Sequence, residues 1–427
     1  MGCVSPCVPL RASRQGEKDE VGRMKAEREG PLPRPELGEG WGEGIYIHIP
    51  FCRAKCAYCD FISYPGLDHL HADYVQAVQR EISLRAPTWA EAHFDTLYIG
   101  GGTPTLLSAE QISALIGACR STLGLVDEAE ITIESNPGTV DLLGLKALRQ
   151  VGVNRLSLGV QSLDDEELHL LGRIHSAGEA VAAFHLALEA GFGNINLDLI
   201  FGLPGQSVAH WQETLMQALA LGPEHLSLYA LTLEHGTPLA ERVADGGLPA
   251  PSDDAVAEMY ELAEEMLDDA GYEHYEISNW ARREGVLDAD GLPALACKHN
   301  LKYWRNERYL GLGAGAHSYD GWRRYANVPS PADYIARVMA GKDAVAEVEE
   351  ADRARSMGET MMLGLRLSVG VSWEGFGRRF GVGLREIYEQ EIGELYAQGL
   401  LEVDDRGLRL TPRGRLLGNR AFAAFLR

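Results

Sequence analysis

Six short runs of β-branched, aliphatic and aromatic residues recur along this chain and limit what it can become. They are "IYIHI" (45–49), "DTLYIG" (95–100), "EITIES" (130–135), "NRLSLGV" (154–160), "NINLDLIFG" (194–202) and "HLSLYAL" (225–231). Amphipathic stretches such as "HADYVQAVQREISLRA" (71–86) and "AEQISALIGACRSTLG" (109–124) separate them. Strands alternating with helices at this interval predict βα units and a parallel sheet. Six units point to a closed or partial barrel rather than a flat doubly wound sheet, although the repeat alone leaves both open. The loops between the runs favour the barrel. "PFCRAKCAYC", "GGGTPT", "SNPG", "QSLDDE" and "GLPGQ" all begin where a strand ends. Parallel βα folds collect their chemistry at the C-terminal ends of the strands, so these loops converge on one mouth.

The predicted architecture is therefore α/β: a partial (β/α)6, TIM-like barrel with a C-terminal, mostly helical, winged-helix-like domain. The boundaries read as a disordered extension over 1–43, a barrel over 44–330 and a helical domain over 331–427. A clear helix spans 253–272, and a Gly-rich aromatic segment spans 297–320. Within the last part, "GLLEVDDRGLRLTPRG" reads as a wing after a helix. Residues 351–427 hold twelve Arg, no Lys and ten Asp plus Glu, which is near neutral and fits docking against the barrel better than a nucleic-acid face.

Charge narrows the partners. A formal net charge of −23 repels nucleic acid and anionic bilayers. No stretch reaches the length of uncharged apolar residues that spans a membrane. The N-terminal stretch lacks the apolar core of a signal peptide and is too acidic for a transit peptide, Gly2 and Ser5 match a myristoylation pattern poorly, and Met24 is an alternative start. Seven cysteines in 427 residues are no disulfide scaffold. The expected setting is a reducing cytoplasm, with membrane contact only through a partner.

Three of those cysteines, Cys52, Cys56 and Cys59, form C-x3-C-x2-C in the first strand-end loop. Thiolates at this spacing can fill three corners of a [4Fe–4S] cluster and leave one iron open. The amino and carboxylate groups of S-adenosylmethionine can chelate that iron, and one electron delivered to the sulfonium breaks a C–S bond. A zinc site completed by His48 or His69 is the competing reading. The remaining cysteines, Cys3, Cys7, Cys119 and Cys297, show no ligand pattern.

With Tyr58 just before the last cysteine and "YIGGGTP" downstream, the chain resembles the radical S-adenosylmethionine superfamily. From about Ile45 to the C-terminus it is similar to the oxygen-independent coproporphyrinogen oxidase-like group, on "YIHIPFC", "ESNPG", "RLSLGVQSLDDEELHLLGRIH", "NLDLIFGLPGQ" and "YALTLEHGTPL". The resemblance implies roles by position. Tyr46 would touch the cofactor beside the cluster, and Tyr58 would pack on the adenine. Backbone amides of the loop with Gly101, Gly102 and Thr103 would approach the methionine end, and Glu134 would bind the ribose or amino group. Gln161, Arg173 and Asp198 match positions that contact a second S-adenosylmethionine in decarboxylating members. The plainer readings are strand-end caps for Glu134 and Asp198 and a surface charge for Arg173.

Two departures sort the branch. The decarboxylases continue the triplet as C-x-x-C-x-C, whereas here the position is Phe61. "HNLKYW" (299–304) resembles a haem-binding pattern of the haem-chaperone (HemW-like) branch, with His299 as an axial ligand; the plainer alternative is a packed, hydrogen-bonded histidine. The implied function is a haem carrier that passes haem to an acceptor haemoprotein, membrane-bound or not, with a flavodoxin- or ferredoxin-type electron donor. The competing function is oxidative decarboxylation of coproporphyrinogen in porphyrin biosynthesis.

Overall fold

The structure, a computed structural model, describes residues 42–426 apart from 286, 289 and 290. The expected leader, with Cys3, Cys7 and Met24, lies outside the described residues except for its last two positions, and Glu43 opens the first strand. The six runs fold as six parallel strands: β1 (Glu43–Ile49), β2 (Phe94–Gly101), β3 (Glu130–Ser135), β4 (Arg155–Gln161), β5 (Ile195–Phe201) and β6 (His225–Ala230). They pair in chain order, each with the next.

The chain after residue 231 lengthens this sheet at both edges. Strands β7 (Tyr272–Glu276) and β8 (Asn279–Arg282) form an antiparallel hairpin beside β6. On the other side β9 (Tyr309–Leu312) lies parallel to β1, followed by the antiparallel strands β10 (His317–Tyr319), β11 (Arg323–Asn327) and β12 (Val345–Glu350). The sheet thus has twelve strands around the six-strand parallel core. The added strands are short, three to six residues each, so they carry little of the periodicity that marks β1–β6.

Strand parity separates two environments. Ile45, Ile47, Leu97, Ile99, Ile131, Ile133, Leu156 and Leu158 join the main apolar core beneath the outer helices. The alternate residues, among them Tyr46, Thr96, Thr132, Ser157, Asn196 and His225, are buried polar or aromatic groups on the opposite face. Sheets covered on both faces ordinarily read as continuous apolar runs. The polar inner row marks the barrel interior as a place for chemistry.

Helices begin where capping residues permit. Ser108 and Gln111 close a capping box on the helix Ala109–Ala118, and Ser176 with Glu179 does the same for Ala177–Glu189. The amphipathic pattern over 109–124 ends as a π-helical turn, Cys119–Leu123, stopped by Gly124.

The C-terminal domain has its own core, built on Met361, Phe376, Tyr388, Leu408 and Phe425. After the helix Leu384–Ala397, the strands Leu401–Val403 and Gly407–Leu410 form the wing with Val371–Ser372. Its boundary falls later than 331. The helix Pro331–Met339 and β12 belong to the barrel, fastened by one carboxylate. Glu81 is 2 % exposed on the helix His71–Arg85. It accepts hydrogen bonds from Tyr334 Oη (2.6 Å), Gly313 N (2.9 Å) and Asn327 Nδ2 (2.8 Å).

Replacing Glu81 with Ala orphans three buried donors at once. Chemical denaturation of Glu81→Ala is expected to show a loss of roughly 3–5 kcal/mol. A loss below about 1 kcal/mol would mean that water replaces the carboxylate and that the seam is not fastened here.

Candidate functional site

The cysteine loop leaves β1 and crosses the mouth of the barrel. Ala57 N donates to Leu171 O (2.9 Å), beyond β4, and Leu239 N donates to Ala57 O (2.8 Å), beyond β6. These bonds hold the loop over the strand ends. Cys52, Cys56 and Cys59 are all half-buried. Burial raises the Cys52 and Cys59 thiols above the ordinary range, opposed at Cys52 by the Thr103 hydroxyl and at Cys59 by the Phe61 backbone. Thr103 Oγ1 lies 3.7 Å from Cys52 Sγ, and Arg173 Nη1 lies 3.5 Å from Cys56 Sγ.

The glycine loop closes on the cysteines from below. Gly102 N donates to Ile49 O (2.8 Å), and Thr103 N donates to Phe51 O (2.7 Å). A Cβ at Gly102 would stand 2.5 Å from Phe51 O and 3.0 Å from Cys52 Sγ. Gly101 has φ +116°, and a Cβ there would meet the His48 ring at 2.6 Å. Gly101 N donates to Glu134 Oε2 (2.9 Å), while Tyr98 Oη donates to Glu134 Oε1 (2.9 Å). The N–H groups of Gly101, Gly102 and Thr103 are all used within the protein. What the loop can offer an amino group is carbonyl oxygen and the adjoining Glu134 carboxylate. Burial raises that carboxyl to about 7, so an approaching cation would favour its ionised form.

The other expected residues spread over three levels. Gln161 ends β4 with φ +68°, and its buried Oε1 has no partner among the described residues. Arg173 Nη2 donates to Gly159 O (2.6 Å), which places it at the mouth and not on the outer surface. Tyr58 is half-buried against the apolar group of Leu171, Ile200, Leu203 and Leu239. Tyr46 stacks on Tyr98 with ring centroids 6.2 Å apart. Asp198 sits deeper, accepting from Ser157 Oγ (2.9 Å) and Asn196 Nδ2 (2.8 Å), and burial raises its carboxyl.

His299 departs from expectation. It is 1 % exposed; Nδ1 pairs with Thr96 Oγ1 (2.8 Å) and Nε2 with Tyr303 Oη (2.7 Å). The ring stacks on Tyr98 at 5.3 Å, and burial holds it neutral. This is the packed, hydrogen-bonded histidine, with neither nitrogen open to iron in this conformation. His48 is likewise engaged, Nδ1 with Tyr46 Oη (2.9 Å) and Nε2 with Ile62 O (2.8 Å), and burial lowers it to about 4. Neither of its nitrogens is open to zinc in this conformation. Among the described residues no three His, Cys, Asp or Glu gather closely enough to hold one metal ion. Three half-buried thiols, a buried Gln161 oxygen without a partner and a cradle that a Cβ at Gly102 would fill suit a larger group bearing both polar and iron–sulfur chemistry.

Tyr98, Arg155, Asn196 and His225 escaped sequence reading. They lie on the inner parity of their strands, and polar residues alternating with Leu and Ile were the available signal.

A parallel barrel whose mouth carries a cysteine loop locked onto a glycine turn defines the class, a radical S-adenosylmethionine protein. Residues 46–218 match the radical SAM superfamily, and residues 352–417 match the HemN C-terminal domain. The heme chaperone HemW of Bacillus subtilis is 37 % identical over 90 % of this chain and 99 % of its own length. The heme chaperone HemW of Mycobacterium tuberculosis is 38 % identical over 92 % of this chain and 97 % of its own. The solved coproporphyrinogen III oxidase HemN of Escherichia coli, described as a radical SAM enzyme, superposes with a TM-score of 0.77 at 26 % identity, covering 90 % of each chain. The chain belongs to the radical SAM superfamily and, within it, to the HemW family.

Two variants test this geometry. Gly102→Ala is expected to cut iron uptake on anaerobic reconstitution from about four atoms per chain to below about one, whereas Gly193→Ala, whose Cβ meets nothing within 4 Å, leaves it unchanged. Full loading of the Gly102 variant would show that the cysteine loop does not need this approach. Glu134 is raised in the folded state, so the protonated form is the stabilising one. Its contribution is fully present below the unfolded value near 4.5 and is lost as pH rises through about 7. Against Glu134→Gln, the wild type should lose up to about 3 kcal/mol more between pH 5 and 8, less where pocket water reaches the carboxylate. Parallel profiles would mean that the carboxyl is not perturbed.

Proposed function

We propose that this protein binds haem and hands it to an acceptor haemoprotein, and that it carries a [4Fe–4S] cluster on Cys52, Cys56 and Cys59 with S-adenosylmethionine beside it. The observation that carries the reading is the likeness over 90 % of the chain to proteins named heme chaperones. The triplet agrees, because the position two beyond Cys59 is Phe61, which offers neither a ligand nor a thiol.

In this reading the bound cluster and cofactor supply one-electron cleavage of a C–S bond. The chain supplies orientation. Thr103, Glu134 and the carbonyl groups of Gly101 and Gly102 receive the methionine amino group, Tyr46 and Tyr58 flank the cofactor, and Arg173 places a positive charge beside Cys56. Gln161 and Asp198 extend the polar wall inward. A flavodoxin- or ferredoxin-type donor would deliver the electron at the mouth, and a reducing cytoplasm would keep the thiols available. Among the described residues no helix is long and apolar enough to cross a membrane, so delivery to a membrane haemoprotein would go through contact with that partner.

Haem iron can reach His299 only if Nε2 leaves Tyr303 or Nδ1 leaves Thr96 and the ring loses its cover. Haem loading therefore includes displacement of the helix Lys298–Trp304.

The deciding test is a haem titration followed at the Soret band on reconstituted wild type and His299→Ala, with the same samples incubated with coproporphyrinogen, S-adenosylmethionine and a reductant. Stoichiometric binding, weakened about tenfold or more in the variant, with no decarboxylated product is the expected result. Decarboxylated product without specific haem binding would make the protein an enzyme of porphyrin biosynthesis. Haem binding that ignores His299 would move the ligand elsewhere.

A further inference from the structure

Beneath the strand-end residues the barrel interior continues into a second polar level, whose central residue the proposed cofactor site leaves unassigned. Its centre is Arg155 on β4, 2 % exposed. Among the described residues its guanidinium makes no hydrogen bond and no ion pair within 4 Å, and Nε is buried without a partner. Thr132, its Cα partner on β3, is wholly buried and its hydroxyl is also without a partner. A guanidinium taken out of water normally finds a carboxylate to grip with two parallel hydrogen bonds.

The nearby carboxylate is committed elsewhere. Glu130 accepts from His299 N (3.1 Å), Lys298 N (3.3 Å) and Cys297 Sγ (3.7 Å), at the start of the helix Lys298–Trp304. The other neighbours are satisfied among themselves. His225 Nδ1 pairs with Asn196 Oδ1 (2.6 Å), and His225 Nε2 pairs with Tyr275 Oη (2.8 Å). Asn196 Nδ2 donates to both Ser157 Oγ (2.8 Å) and Asp198 Oδ1 (2.8 Å). Arg155 instead lines a pocket with Tyr98, Glu134, Asp198 and Asn300. Glu134 links this pocket to the glycine loop through its bond to Gly101 N. Burial favours the protonated forms of Glu134 and Asp198, which lessens their repulsion of an entering anion.

We propose that Arg155 is the anchor for a carboxylate carried by a ligand that enters the barrel through the cysteine-lined mouth. Two ligands of the proposed function bear such a group: S-adenosylmethionine, on its amino-acid end, and haem, on its propionates. The chemistry at Arg155 is the same for both. The site goes beyond the haem-carrier reading, because an anion anchored here by S-adenosylmethionine would stand even if haem transfer failed.

The test uses reconstituted holoprotein, wild type and Arg155→Met. Binding is measured for S-adenosylmethionine against its decarboxylated analogue, and for haem against haem dimethyl ester, with thermal melting alongside. Arg155→Met is expected to weaken one of the two carboxylate-bearing ligands roughly tenfold or more and to leave both analogues unchanged. Which ligand falls identifies the source. The melting temperature should stay level or rise, because Met removes a cation held ready at a cost to the fold. Unchanged affinity for both ligands overturns the proposal. So does a variant that melts more than about 5 °C lower with both affinities intact, which would make Arg155 a structural cation. If the Met variant does not fold, Arg155→Lys decides. It keeps the charge but lacks the planar fork, and it must still lose about threefold or more for one ligand; equal affinity for both overturns the site.

Discussion

Residues 100–102 run so close to the cysteine loop and the neighbouring strand that a side chain on any of them would collide. At Gly100 the obstacle is Tyr98 and the Glu134 carboxyl, at Gly101 the His48 ring, and at Gly102 the carbonyl of Phe51 and the sulfur of Cys52. Each obstacle belongs to the site. The approach lets Gly102 and Thr103 bond to the chain on either side of Pro50, which sets Cys52 at the mouth. It also brings Gly101 N to Glu134, which fixes the carboxylate against Tyr98. Thiols, acceptor carboxylate and aromatic wall thus depend on one backbone path, and that path is open only to glycine.

The same strands carry two kinds of information at alternate positions. Outward residues are aliphatic and hold the helices. Inward residues are hydroxyls, amides, imidazoles, carboxylates and one guanidinium, and they bond to one another across strands in place of an apolar filling. Unpaired polar atoms inside a protein are costly, so most of this network is closed. The exceptions at Arg155, Thr132 and Gln161 mark where the closed network stops, and they are the groups that the proposed ligands would complete.

Legibility in the sequence tracked the length and contrast of each pattern. The six parallel strands stand within two residues of their sequence limits, because each is a run of strand formers ended by Gly, Pro or a polar loop. The triplet and glycine loop were legible because few arrangements tolerate those residues in that order. The strands at 309–312, 317–319 and 345–350 were not, since three to six residues are too few to carry a periodicity. Glu81, which ties them to the first helix, looks on paper like any exposed helical glutamate. The burial of His299 was hidden for a different reason. The motif names a residue type fit to bind iron, while its burial depends on Thr96 and Tyr98, some two hundred residues away in sequence.

The position of that histidine connects the two halves of the molecule. Its helix begins on Glu130 of the barrel and ends against the C-terminal domain. There Arg366 lies over the Trp304 ring at 4.3 Å, and Arg379 donates to the carbonyls of Arg305 and Asn306. Tyr303 and Trp304 pack with Leu363 and Leu367 from the far side of the seam. On its other face His299 meets Tyr98, which in turn holds Glu134 and, through it, the glycine loop. The helix cannot shift without disturbing both the docking of the C-terminal domain and the aromatic wall of the mouth. In the proposed reading the mouth and the haem ligand therefore share packing around one buried ring, so that a shift of that ring would be met at both.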